Sequence, residues 1–245
     1  MACFELLNTD PSCSARRGVL TTAHGTVQTP AFMPVGTGGA VKGVTPEQLE
    51  GTGAQIILAN TYHVLLRPGV EVVERLGGLH GLMAWDHPIL TDSGGYQVFS
   101  LSALTKIDDE GVEFASHLDG ARVHLNAEIA TEIQVRLGAD IIMCFDECTP
   151  FPIEEDKLKR AVSRTIEWAK RCKIAHEALP KPQASADPIS PSGPTGPIKT
   201  TRSLLFGIVQ GGVDPDLRRG CAEQIVRIGF DGYAIGGLSV GEGHE

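Results

Sequence analysis

Short, uninterrupted apolar runs recur along this 245-residue chain, and each ends in glycine, acidic, amide or hydroxyl residues. One run ends at Leu90, for example, and leads into Thr91-Asp92-Ser93-Gly94-Gly95. Apolar runs that are continuous, not alternating, are typical of parallel strands buried on both faces. The sequence therefore predicts about six such strands with polar residues at their carboxyl ends, around 30–32, 55–59, 88–90, 140–145, 204–209 and 233–235.

Helical patterns lie between several of these runs. Thr45-Pro46-Glu47-Gln48 has the residues of a capping box with proline at the first helical position. Asn126 and Asp214 stand where two later helices are expected to begin. Segment 154–179 carries apolar residues at helical spacing with charged residues elsewhere, which predicts a long helix with one buried face.

Alternation of strands and helices predicts an α/β fold with a parallel sheet. A (β/α)8 TIM-type barrel is the best candidate, and an open doubly wound sheet is the alternative. A β-hairpin over 112–116 and 122–125, turned at Asp119-Gly120, is inserted into the series. A complete barrel takes about 250 residues, so the six strands counted here predict an incomplete barrel, one domain over 1–245 that lacks about two of its eight strands.

Segment 180–201 differs in composition from the rest of the chain. Prolines recur there among serine, glycine and alanine, a composition typical of flexible linkers. Because the series of strands and helices resumes after it, the segment is predicted to be a disordered loop within the domain.

Charge and cysteine usage narrow the class of protein. The net charge of −9 and the lack of a long basic run count mildly against nucleic-acid binding without excluding it. The six cysteines show no Cys-x-x-Cys spacing, so free thiols in a reducing cytoplasm are expected. No apolar run approaches the roughly 18 residues of a membrane span, so no membrane partner is expected.

Polar residues at the strand ends form a candidate binding site. Asp92 offers a carboxylate, Tyr96 a flat stacking face and Gln97 a two-sided hydrogen bonder, a set suited to a planar ligand such as a nucleobase. Asp146 and Gln210 follow later strands, and carboxyl ends of parallel strands converge on one pocket. Two alternatives stay open: the paired glycines at 211–212 and 236–237 suit a phosphate, and Asp146-Glu147 with His63 suits a metal without any recognisable ligand spacing.

Several long motifs follow one another along the chain: His24-Gly25-Thr26, Met33-Pro34-Val35-Gly36-Thr37, Ala59-Asn60-Thr61-Tyr62-His63, Thr91-Asp92-Ser93-Gly94-Gly95-Tyr96-Gln97, Phe145-Asp146-Glu147-Cys148-Thr149-Pro150, Gly207-Ile208-Val209-Gln210-Gly211-Gly212 and Gly232-Tyr233-Ala234-Ile235-Gly236-Gly237-Leu238-Ser239-Val240-Gly241-Glu242. In these motifs the chain resembles the bacterial tRNA-guanine transglycosylases, also called queuine tRNA-ribosyltransferases. The resemblance implies a (β/α)8 barrel that exchanges guanine in the tRNA anticodon, at the wobble position of GUN anticodons, for a 7-deazaguanine on the route to queuosine. It implies double displacement at ribose C1′ by a carboxylate.

By its position in the matching motif, the resemblance implies that Asp92 is the general acid/base that acts on the purine and that Asn60 holds it in place. The resemblance implies further substrate-binding positions. Asp146, Gln210 and the backbone of Gly237 and Leu238 would read the base, Tyr96 would stack on it, and Ser93 is a further substrate-binding position. Cys148 and Val240 would shape the pocket wall, and Val35 and Leu58 would line the ribose side. Valine at 240 resembles the bacterial form that takes the small aminomethyl base preQ1, since the eukaryotic form tends to have glycine there.

Two parts of the family pattern fall beyond residue 245. The nucleophilic aspartate lies on a later strand, and the zinc ligands, three cysteines and a histidine, lie later still. We therefore expect no metal site in this chain and no catalysis by it alone, although zinc and a homodimer are expected of a full-length member. The alternative is a non-catalytic subunit that binds a deazaguanine or a partner.

Overall fold

The computed structural model describes residues 3–97, 105–180 and 202–243. In chain order, the strands are β1 (Phe4–Thr9), β2 (Arg16–Thr22), β3 (Gly25–Thr29), β4 (Val35–Gly36), β5 (Ile57–Ala59), β6 (Ile89–Thr91), β7 (Thr105–Ile107), β8 (Val112–Ala115), β9 (Arg122–Leu125), β10 (Ile141–Met143), β11 (Leu204–Val209) and β12 (Gly232–Ile235). The helices are α1 (Pro46–Gly51), α2 (Thr61–Leu66), α3 (Val70–Arg75), α4 (Gly78–Met83), α5 (Ala127–Arg136), α6 (Glu155–Ala178) and α7 (Pro215–Ile228), with a 3-10 turn at Thr37–Gly39.

The described residues divide into two compact units. The first unit comprises those within 1–92, 134–142 and 180–204, and the second comprises those within 93–133, 143–179 and 205–245. Each unit has a three-stranded antiparallel sheet, in the order β1-β2-β3 in the first and β7-β8-β9 in the second. Parallel strands also occur in both units, and these strands end at the candidate site residues.

Six parallel strands confirm the predicted α/β class. In the first unit, Leu58 of β5 is paired with Val35 of β4 on one side and with Leu90 of β6 on the other, and Leu90 is also paired with Ile141 at the start of β10. In the second unit, β11 and β12 pair in parallel from Phe206 to Val209. Continuous apolar residues form these strands because both faces are covered: Ile57, Ile89, Ile141 and Ile142 are all at most 1% exposed.

The first predicted strand is displaced along the chain. The apolar run at 30–32 was expected to be the strand, whereas β4 is Val35–Gly36. Pro30 and Pro34 have no backbone N–H to donate to a neighbouring strand, and Phe32 is 84% exposed. Proline chemistry therefore outweighs the apolar character of the run.

The three predicted helix caps are confirmed by their hydrogen bonds. Thr45 and Gln48 form a reciprocal capping box at α1. The Asn126 carboxamide accepts the N–H of Ile129 at 2.8 Å, and the Asp214 carboxylate accepts the N–H groups of the first residues of α7. The long helix α6 buries the predicted apolar stripe of Leu158, Val162, Ile166 and Ala169.

Loss of the α1 cap gives a measurable stability change. Thr45→Ala removes the side-chain oxygen that accepts the Gln48 N–H and is expected to lower the free energy of unfolding by about 1 kcal/mol. Thr45→Ser keeps a hydroxyl at the same position and is the matched control. Urea unfolding of both variants measures the difference, and equal midpoints would show that the cap does not contribute.

The predicted hairpin is confirmed and is larger than expected. β8 and β9 pair antiparallel, with Gly120 at φ +75 in the turn, and β7 adds a third strand. The sheet β1-β2-β3 and the helices α2, α3 and α4 were not predicted. Each of those helices has only six residues and no side-chain cap, so neither periodicity nor a capping residue marks them in the sequence.

Three further sequence predictions concern the loop 180–201, the cysteines and membrane-spanning segments. Loop 180–201 falls, apart from Pro180, outside the described residues. None of the six cysteines, which all lie in the described residues, forms a disulfide, and Cys144, Cys148, Cys172 and Cys221 are buried. None of the helices in the described ranges is long and apolar enough to cross a membrane.

Candidate functional site

Asp92 in the first unit is held by the chain that follows β5. One carboxylate oxygen accepts the Asn60 side-chain amide at 2.5 Å, and the other accepts the backbone N–H of Thr61 at 2.9 Å. The Thr61 hydroxyl donates to the Asp92 carbonyl at 2.6 Å, and the Thr37 hydroxyl donates to Asn60 Oδ1 at 3.1 Å. Both oxygens therefore have a fixed orientation.

Val35 and Leu58 lie beside each other on neighbouring strands of the same unit. They are directly paired in the parallel register of β4 and β5, and Val35 is 49% exposed. An apolar wall next to the ends of two strands is compatible with the predicted contact on the ribose side.

In the second unit, Asp146 forms a hydrogen-bonded group with Ser93 and Gln210. Gln210 Nε2 donates to Asp146 Oδ2 at 2.7 Å, and Ser93 Oγ donates to Oδ1 at 3.3 Å. Asp146 follows β10 and Gln210 follows β11, so two neighbouring strand ends bring these side chains together. The tight turn after Ser93 packs against the same loop, since a Cβ on Gly95 would lie 2.8 Å from the Asp146 carbonyl oxygen.

Gln210 is the most informative side chain of this group. It is 2% exposed, and its Oε1 has no hydrogen-bond partner within the described ranges. A Cβ on Gly237 would lie 2.2 Å from that oxygen, so the glycine permits the loop after β12 to approach it. An unpaired buried acceptor costs about 1–3 kcal/mol, which is the pattern expected where a ligand supplies the missing donor.

Cys148, Leu238, Val240 and Tyr96 belong to the same unit but differ in exposure. Tyr96 and Leu238 are 49% and 48% exposed, and Cys148 is 7% exposed. A cavity of about 440 Å³ is lined by Gly237, Val240 and the loop 149–153, but its lining does not include Asp146 or Gln210. The candidate site is therefore the hydrogen-bonded group of Asp146 and Gln210 and not this cavity.

The Cys148 thiol is unsuited to act as a nucleophile at neutral pH. Burial and the neighbouring Asp146 charge raise the pKa of Cys148 to about 11, although the Gly237 amide acts in the opposite direction. A thiol attacks as the thiolate, and this environment keeps it protonated. The role of Cys148 in the pocket wall stays a prediction.

Arg164 and Thr165 support the loop that carries Asp146, and the sequence did not mark them. The Glu147 N–H donates to the Thr165 hydroxyl at 3.1 Å, and the Glu147 carboxylate accepts from the Arg164 guanidinium. Both charged side chains are at most 16% exposed. They were missed because helix α6 carries them as ordinary polar residues on a mixed face.

His24, His80 and Asp140 in the first unit are the one group of potential metal ligands in the described part of the chain. The two imidazoles are stacked with centroids 3.6 Å apart, and one nitrogen of each ring lies 2.9 or 3.2 Å from a carboxylate oxygen of Asp140. Asp140 already accepts the His24 N–H, the His24 ring and the Ile89 N–H at 2.9–3.0 Å. The arrangement fits a structural hydrogen-bond network better than a metal site.

The structure thus brings the predicted site residues together in two groups, each within one unit. Val35, Leu58, Asn60 and Asp92 lie in the first unit, and the other predicted positions, from Ser93 to Val240, lie in the second. Direct contacts join Asn60 to Asp92 in one group and Ser93, Asp146 and Gln210 in the other.

Comparison with known proteins adds an independent finding. A family model described as queuine tRNA-ribosyltransferase matches residues 10–245. Proteins named queuine tRNA-ribosyltransferase from Syntrophobacter fumaroxidans and Pseudomonas aeruginosa are 52% and 53% identical over 242 residues, each covering 99% of this chain and 59% of the relative. One from Caldanaerobacter subterraneus subsp. tengcongensis is 52% identical over 239 residues, covering 98% of this chain and 58% of the relative. The chain therefore spans about three fifths of the length of these relatives.

Proposed function

Because the chain belongs to the queuine tRNA-ribosyltransferase family, we propose that it is part of an enzyme that exchanges guanine at the anticodon wobble position of tRNA for preQ1, a step of queuosine biosynthesis. The partners are then a tRNA with a GUN anticodon and the free base, and a tRNA substrate places the enzyme in the cytoplasm. We further propose that residues 1–245 form a single, incomplete (β/α)8 barrel domain, and that the complete enzyme is a homodimer.

The observation that carries this proposal is the buried, unpartnered Oε1 of Gln210 beside the Asp146 carboxylate. Guanine presents N–H donors at N1 and N2 along one edge, and 7-deazaguanines keep both. Asp146 accepts Ser93 Oγ on one carboxylate oxygen and Gln210 Nε2 on the other, so its oxygens present acceptors in this pocket. An acceptor set of this kind suits the guanine edge, whereas adenine offers an acceptor at N1.

In the proposed base exchange, Asp92 transfers a proton and does not recognise the edge of the base. Release of guanine breaks the bond between ribose C1′ and the purine, and the leaving base takes up a proton. The Asp92 carboxyl, oriented by Asn60 and Thr61, is placed to move that proton as general acid and then as general base on the incoming base. Tyr96 stacks on the purine, Val35 and Leu58 contact the ribose side, and Val240 limits the pocket to a base as small as preQ1.

The attacking carboxylate of the double displacement is not assigned to any residue of this chain. Asp92 has both oxygens engaged with Asn60 and Thr61 and serves the proton transfer, so we do not give it the second role. Zinc is expected of the family, but none of the six cysteines joins a group of three ligating side chains among the described residues.

Calorimetry of the purified chain tests the proposal. We expect guanine and preQ1 to bind and adenine not to bind, because adenine lacks an N1–H. Failure to bind guanine, or equal affinity for adenine, would overturn the assigned pocket. In parallel, the chain is expected not to incorporate labelled guanine into tRNA, and incorporation would show that it carries its own nucleophile.

A further inference from the structure

One arginine joins the two glycine-containing loops of the second unit. Arg218 lies on α7, and its Nε donates to the Gly212 carbonyl at 2.6 Å. Its Nη2 donates to the Gly236 carbonyl at 2.7 Å and to the Gly237 carbonyl at 3.3 Å. The guanidinium therefore binds the loop after β11 and the loop after β12 at once.

Arg218 makes these contacts in place of an ordinary ion pair. Within the described ranges, its guanidinium donates to three backbone carbonyls and not to a carboxylate. The planar guanidinium presents several N–H donors in a rigid fork, which a lysine ammonium does not reproduce. Hydrogen bonds from a charged donor contribute more than neutral ones, so three of them on two loops are a substantial restraint.

The loops are shaped to receive this side chain. A Cβ on Gly211 would lie 2.7 Å from the Arg218 backbone nitrogen, and Gly211 has φ +143. Gly237 has φ +65, and the position that a Cβ would take on it is occupied by Gln210 Oε1. The Gly236 N–H donates to the Val209 carbonyl at 2.9 Å. The loop after β12 is thus held on one side by β11, on another by Arg218, and lies directly against Gln210.

We propose that Arg218 is a positioning residue for base binding: it fixes the Gly236–Gly237 loop against Gln210, so that the Gln210 Oε1 acceptor is oriented before the base arrives. The inference rests on the proposed function, because it concerns the same pocket. Arg218 itself donates only to backbone carbonyls and is not assigned a contact with the base. Preorganisation of this kind improves affinity by reducing the ordering cost of binding.

The neighbouring Arg219 offers a matched control. It lies on the same helix, is 68% exposed and pairs with Asp216 at 2.8 Å, so its removal changes net charge without touching either loop. We expect Arg218→Ala to weaken guanine binding at least tenfold, Arg218→Lys to give an intermediate loss, and Arg219→Ala to bind as the unmodified chain does. Affinities are compared well below the unfolding midpoint of every variant.

Amide hydrogen exchange over residues 232–243 provides a readout independent of the base. Arg218→Ala is expected to speed exchange in this segment and at 210–212, while exchange in β8 and β9 stays unchanged. If Arg218→Ala does not fold, guanine affinity and amide exchange are measured on Arg218→Lys instead, and these two measurements then test the positioning role. Guanine affinity within twofold of the unmodified chain, or unchanged exchange in the loop, would overturn the positioning role. If the unmodified chain does not bind guanine, the proposed function fails, and the exchange measurement alone decides whether Arg218 orders the loop.

Discussion

Asp146→Asn is expected to weaken guanine binding by this chain on the order of 100-fold. The substitution keeps the shape of the side chain but replaces one acceptor oxygen with an NH2 donor. That donor opposes the N–H groups of the guanine edge and also Gln210 Nε2, which donates to Asp146 at 2.7 Å in the free chain. Hydrogen bonds to a charged acceptor are worth about 1.5–3 kcal/mol each, and a loss of about 3 kcal/mol corresponds to two orders of magnitude in Kd.

Calorimetric titration with guanine and with preQ1 measures this effect. Glu223→Gln is the control, since Glu223 is exposed on α7 and the substitution makes the same change in charge. The control should bind with unchanged affinity, and the urea midpoint of Asp146→Asn should show that the variant is folded. A folded Asp146→Asn chain that binds guanine normally would remove Asp146 from the base site.

Asp140→Asn is expected to lower the free energy of unfolding by about 3 kcal/mol. The Asp140 side chain is fully buried, and it accepts the backbone N–H groups of His24 and Ile89 as well as the His24 ring. Asparagine has a single acceptor oxygen, so at least one buried donor loses its partner. Each unsatisfied buried donor costs about 1–3 kcal/mol, and more where a charged group is involved.

The same residue predicts how stability depends on pH. Burial acts to raise the pKa of Asp140, but the His24 and His80 rings, whose nitrogens lie 2.9 and 3.2 Å from its carboxylate oxygens, outweigh it and hold that pKa well below the usual value near 3.8. A carboxyl whose folded pKa is depressed stabilises the fold above its unfolded pKa, and this contribution is lost as pH falls towards the folded pKa. The stability contributed by Asp140 is therefore complete above about pH 5 and declines below about pH 4.

Urea midpoints between pH 3 and pH 7 test both statements. Asp140→Asn should be less stable at pH 7 and should lose less stability on acidification than the unmodified chain. Glu5→Gln changes an exposed glutamate of β1 and should change stability by no more than about 0.5 kcal/mol. An Asp140→Asn variant as stable as the unmodified chain at pH 7 would contradict the role of the buried network.

The strands, helix caps and turns that depend on neighbouring residues could be predicted from the sequence. Five of the six apolar runs, the caps at Thr45, Asn126 and Asp214 and the hairpin turn at Gly120 each depend on neighbouring residues, and the structure contains them where they were predicted. The first strand was misplaced because the two prolines around Phe32 were given too little weight. The short helices α2, α3 and α4 were missed because they have no side-chain caps and only six residues each.

Motif order identified the family and the candidate site residues, because those residues occur in contiguous segments that can be compared one by one. Partnerships between distant segments required the folded chain. Arg218 with Gly236, Arg164 with Glu147 and Asp140 with His24 are separated by 18, 17 and 116 residues, and no periodicity links such positions. They meet only where strands and helices are packed together, and there a buried donor or acceptor selects the nearest group that satisfies it.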